Sequence, residues 1–174
     1  VISGIILGVS QYVFSASNFF YVILFFHFIY LLIIKKLSKG LLIKIFLLLL
    51  ISFIVVMPLI FYAIKYPGSY FKRARDVSIM KDIKKEKSFY PVLRNVKNYL
   101  LMFNFRGDYN GRHNLYKAPM VDRITGVFFI AGFILSLINR NYFFYIICFF
   151  SLLLGGILTI TVEAPQAYRV SSVI

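Results

Sequence analysis

MFNFRGDYNGRHNLYKAPMVDRITG, residues 102–126, is the polar middle of a chain that is otherwise largely hydrocarbon. It holds two of the six acidic residues, Asp108 and Asp122, and one of the two histidines, His113. Arg106, Arg112, Lys117 and Arg123 stand among them, and Gly107, Gly111 and Pro119 supply turn residues. Long apolar runs flank the stretch on both sides. A segment of this kind is either a solvated loop or the floor of a site at a membrane surface.

Working outward, the apolar runs define the class. The chain has 174 residues, 60% hydrophobic and 19% aromatic, against about 45–50% apolar for an ordinary soluble domain. Its mean hydropathy is +0.82. The runs carry almost no charge, which reads as an all-α polytopic membrane protein. Residue 1 opens inside an apolar run and VSSVI closes the chain without a terminating element, so the reading treats it as part of a longer protein. The formal charge of +14 fits either membrane topology with attraction to anionic headgroups or a site for a phosphate-bearing lipid. Nucleic acid is not an expected partner, because most of the chain is lipid-facing. The single Cys148 lies in an apolar run and reads as a packing residue.

Five spans are expected, at about 2–14, 19–34, 41–64, 124–138 and 142–160, with a loop at 65–123 and a tail at 161–174. One helix over residues 1–34 would reach ~50 Å, too long for a ~30 Å hydrocarbon core, so a turn is expected at 15–18. Gly4 and Gly8 form a GxxxG pattern that permits close helix packing. The short connections 35–44 and 139–141 carry Lys35, Lys36, Lys39, Lys44 and Arg140 and no acid. The positive-inside rule puts them in the cytoplasm and the loop 65–123 with the tail 161–174 outside. Within that loop, KDIKKEK at 81–87 reads as a solvated charge run. From Pro91, the residues Val92, Leu93, Val96, Tyr99, Leu100 and Phe103 recur at steps of three and four, with Arg94, Asn95, Lys97 and Asn98 opposite. This pattern is an amphipathic helix suited to the membrane interface.

The candidate substrate-binding residues are Arg106, Asp108, Arg112, His113, Asp122 and Arg123, with Glu163 and Arg169 directly after the last span. Arginines and turn amides can grip a phosphate, and carboxylates can accept sugar hydroxyls or act as a base. The competing role for each is to pair with its neighbours and pin the loop. His27, alone in an apolar run, either bonds a neighbouring helix or marks a site. A divalent metal is conceivable at Asp108, His113, Asp122 and Glu163, but no ligand spacing supports one. CxxC, HExxH, P-loop and dinucleotide patterns are absent.

FRGDYNGRHNLYKAPMVDRITGVFF resembles the extracytoplasmic loop of bacterial glycosyltransferase family 39, relatives of the protein O-mannosyltransferases and of the enzyme that adds aminoarabinose to lipid A. The matching positions are Gly107, Asp108, Asn110, Arg112, His113, Asn114, Pro119, Asp122, Thr125 and Gly126, then Glu163, Ala164, Pro165, Ala167 and Arg169. FKRARDVSI at 71–79 and the run Gly8 to Phe14 are similar to further family segments. Gln166 stands where the family often has His, and Asn18 about where it often has Arg. The resemblance implies a GT-C fold with an extracytoplasmic loop. It also implies transfer of a sugar from a polyprenyl-phosphate donor to an acceptor outside the cytoplasm. It further implies that the catalytic carboxylate lies upstream of these residues, so that this piece alone is inactive. A rival from another class is a lipid or glycolipid transporter or flippase segment, which would need binding groups inside its spans.

Overall fold

The computed structural model describes residues 1–13, 17–109 and 114–170, with Val170 by its backbone only. It is all-helical: the described residues form no strand, only an isolated antiparallel bridge between Ser78 and Thr159. The chain divides into two compact units, Val1–Asp76 and Val77–Ile174.

The first unit holds α1 (Ile2–Val13), α2 (Asn18–Ile33), α3 (Lys39–Lys65) and two short helices, α4 (Pro67–Tyr70) and α5 (Lys72–Asp76). Small residues let α1 lie against α3, as the GxxxG spacing suggests. A Cβ on Gly4 would sit 2.8 Å from the Leu48 carbonyl oxygen, and one on Gly8 would sit 2.6 Å from Val55 Cβ. The Tyr12 hydroxyl adds a bond to the Val55 carbonyl at 2.9 Å. Tyr21 and the fully buried Ser52 share a 2.6 Å hydroxyl bond that ties α2 to α3. The 35–44 connection is shorter than its lysine run suggests. Ser38 Oγ accepts the Leu41 N–H and starts α3 at Lys39, so Lys39 and Lys44 are helical. At the other end Pro67 pushes Tyr66 out of helical geometry, which closes α3. Of the expected turn at 15–18, residues 15 and 16 lie outside the described set.

The second unit holds α6 (Met80–Glu86), α7 (Tyr90–Asn104), α8 (Arg123–Ile138), α9 (Phe143–Ile157) and α10 (Ala167–Val170). Its core is Tyr99, Met102 and Phe103 of α7, Leu153 and Ile157 of α9, and Ala164. Phe103 stacks on Phe129 of α8 at 5.2 Å and leans on Phe149 of α9 at 5.5 Å, so one aromatic triad joins three helices.

Two expectations for this unit are corrected. The run 81–87 is not a solvated loop, because 80–86 are helical and Asp82 accepts both the N–H and the hydroxyl of Thr161, each at 2.7 Å. The buried face of α7 is also rotated from the expected one. Leu93 and Leu100 are exposed, whereas Asn95, assigned to the polar face, is fully buried. Its side-chain amide donates to the carbonyls of Ile157 at 2.9 Å and Thr159 at 2.6 Å. A helix end leaves carbonyls without intrahelical donors, and Asn95 satisfies them at the end of α9.

Two helical runs are long and apolar enough to cross a membrane, Lys39–Lys65 and Arg140–Ile157. In α3 only 6% of the most apolar window is buried, although one face packs against α1. The other apolar helices, Ile2–Val13, Asn18–Ile33 and Arg123–Ile138, are shorter.

Candidate functional site

The residues singled out in the sequence separate into two places within the second unit. The first lies beyond the end of α7. The Arg106 N–H bonds the Leu101 carbonyl at 2.9 Å, which folds the chain back over the last turn of the helix. Gly107 then passes so close to 118 that a Cβ would fall 1.6 Å from the Ala118 carbonyl oxygen, a space only glycine fits. The Lys117 N–H donates to the Asp108 carbonyl at 2.8 Å, and Asn114 Nδ2 donates to the Ala118 carbonyl at 2.9 Å. These bonds hold 107–108 against 117–118.

The Asp108 side chain is buried and points to the tail that follows α9. Its Oδ2 accepts the Ala167 N–H at 2.9 Å. One residue earlier the Gln166 N–H donates to the Tyr99 hydroxyl at 3.2 Å. Burial pushes the Tyr99 phenol above its ordinary range, so it stays a neutral hydroxyl. Arg169 completes the cluster, donating from Nε to Gln166 Oε1 at 2.6 Å and from its guanidinium to Glu163 Oε2. The stretches 106–108 and 163–169, about 60 residues apart in sequence, thus meet around the buried face of α7.

Asp122 and Arg123 belong to the second place, the start of α8. Asp122 is the N-cap: Oδ1 accepts the N–H groups of Ile124 and Thr125, and Oδ2 the Thr125 hydroxyl. The Thr125 hydroxyl and these amides hold its carboxyl below the usual carboxylate range. The Met120 and Val121 N–H groups bond the carbonyls of Met102 and Phe103, both at 3.1 Å, which docks this end on α7. Asn104 Nδ2 reaches the Gly126 carbonyl at 3.0 Å. Arg123 is exposed at the first turn of α8. Arg112 and His113 lie outside the described residues, as do Asn110 and Gly111. Among the described residues no three His, Cys, Asp or Glu side chains gather as a metal site.

Sequence reasoning missed Tyr99 and Arg94 as members of this neighbourhood. Arg94 Nη2 bonds Glu86 Oε1 at 3.1 Å and Thr161 Oγ1 at 3.0 Å, joining α6, α7 and the turn 161–163. The bonds from Thr161 to Asp82, backbone first, hold that carboxyl below its ordinary range. A cavity of about 380 Å³ opens beside the cluster, between α7, Arg106, Tyr109 and Pro165. No protein-family model, curated protein or solved structure matches the chain.

Proposed function

We propose that the chain is part of an integral-membrane glycosyltransferase of the GT-C type, moving a sugar from a polyprenyl-phosphate-linked donor to an acceptor on the extracytoplasmic side. In this reading the five apolar helices cross or enter the membrane and the loop 65–123 lies outside. The supporting observation is the meeting of the two stretches that carry the family resemblance. Asp108 accepts the Ala167 N–H, and Arg169 pairs with Glu163 in the same cluster. These polar groups gather beyond helix ends, where a lipid headgroup lies, which favours surface chemistry over passage through the spans. Asp122 caps α8 with three of its acceptor sites and stays exposed, so it can still offer an acceptor to a ligand.

The test uses the full-length parent expected to contain this chain, purified and given a labelled polyprenyl-phosphate sugar with a membrane extract as acceptor. Label should move from the lipid to an acceptor fraction. If none moves and the protein instead carries the labelled lipid between leaflets of a vesicle, the enzyme reading gives way to the transporter.

A further inference from the structure

The cavity beside the cluster carries charge that the motifs do not account for. Arg94, Lys97 and Arg106 line it, and no carboxylate does. Arg94 already shares Glu86 Oε1 at 3.1 Å. Lys97 and Arg106 form no ion pair with any described residue. Two uncompensated positive charges therefore face one space. Asn98 adds an amide donor, and Tyr90 and Tyr109 add hydroxyls and ring faces.

Placement of the two free cations follows from the fold. Arg94 and Lys97 are three apart on α7 and so share a face. Arg106 is brought to them by the backbone turn onto Leu101, and the buried anchor of Asp108 on Ala167 holds that turn. The backbone that carries Arg106 is thus fixed before any ligand arrives, which lowers part of the cost of binding.

We infer that this cavity is a binding site for a phosphate dianion, carried either as a lipid headgroup or as free phosphate. Two uncompensated charges match the two charges of a phosphomonoester, and the guanidinium of Arg106 suits its oxygens. A single carboxylate would leave one cation unmatched. The volume lies in the range of small-molecule sites, about 300–1,000 Å³, and exceeds what one phosphate fills. Exposed Leu93 and Tyr90 at its lip give an attached apolar chain a way out. Neither Arg94 nor Lys97 belongs to the family resemblance, and the site stands whether or not the protein transfers a sugar.

The experiment is calorimetric titration of the protein in neutral phosphatidylcholine nanodiscs with inorganic phosphate and, separately, with dihexanoyl phosphatidic acid. Saturable binding of either supports the site. Equal affinity identifies free phosphate as the ligand, and tighter binding of the phosphatidic acid identifies the headgroup. Lys97→Ala and Arg106→Ala, both at exposed positions, should each weaken binding about ten- to a hundredfold, and Lys97→Arg should restore most of it. Binding by the unaltered protein should also weaken steeply with added salt. Absence of saturable binding by both probes, or binding insensitive to both alanine variants and to salt, would overturn the site.

Discussion

The two units of this chain are built by different means. In Val1–Asp76 the buried positions are small: Gly4, Gly8, Ser17 and Ser52, with Ile23 the one large apolar side chain among the described residues. Helices meet there by backbone approach and a few hydroxyl bonds, while the large apolar side chains point outward. In Val77–Ile174 the buried positions include Tyr99, Met102, Phe103 and Leu153, and polar side chains bridge distant segments. The difference is one of packing. Small residues let backbones approach, so helices can associate through close van der Waals contact. Large buried side chains associate by removing apolar surface from water, and the polar groups buried with them need partners.

The sharpest way to break this comparison is to add one methyl group to a glycine in each unit. In Gly156→Ala the new Cβ would fall 2.4 Å from the Tyr99 ring, which is fully buried and bonded to Gln166. The cost should reach about 3 kcal/mol or more, read as lost thermal stability in detergent. In Gly8→Ala the Cβ would meet Val55 at 2.6 Å, against a side chain that is only half-buried, so about 1–2 kcal/mol is expected. Gly132→Ala, with nothing within 4 Å, is the control and should not destabilise. Equal losses at Gly156 and Gly8 would remove the distinction between the units.

Asn95→Leu tests the polar bridging with a somewhat smaller effect. It strips the Ile157 and Thr159 carbonyls of their buried donor, at about 1–3 kcal/mol. Hydrogen exchange should quicken along the end of α9 and the turn 161–163, with the first unit unchanged. A neutral outcome would show that water replaces the amide.

The smallest effect is on acid response. The Asp82 carboxyl is held below its ordinary range by Thr161. It therefore contributes stability that is present above the usual carboxylate pKa and lost as pH falls through the lowered one. After correction for intrinsic exchange, protection of the Thr161 amide should fall with acid, and Asp82→Asn should flatten that dependence. The first unit, with Asp76 as its only carboxylate, should show little of it.

Much of the helical layout was legible because its signals are local. Apolar runs, Pro91 in a first turn and the small residues at 4 and 8 each act within a few positions, whereas the Ser38 cap that starts α3 at Lys39 was not read. Helix α6 was not legible, since KDIKKEK presents no apolar stripe and is tied down by Thr161, 79 residues away. Asn95 was misplaced for a similar reason: a hydrophobic pattern cannot separate a polar residue facing water from one capping another helix. In the candidate site, Glu163 and Arg169 were grouped because both follow the last apolar run, but their ion pair was not read from the sequence. The burial of Asp108 was not, because its partner is a backbone N–H in a distant turn.

The central claim is that residues 106–108 and 163–169 form one functional site. On the proposed transferase reading, a double-mutant cycle on the transfer rate of the longer protein, normalised to folded protein, tests it most directly. Asp108→Asn and Arg169→Ala should each slow transfer, and together they should lose little more than the worse single variant, a coupling above about 0.5 kcal/mol. Losses that add to within about 0.3 kcal/mol would contradict the account, because the two stretches would then act independently.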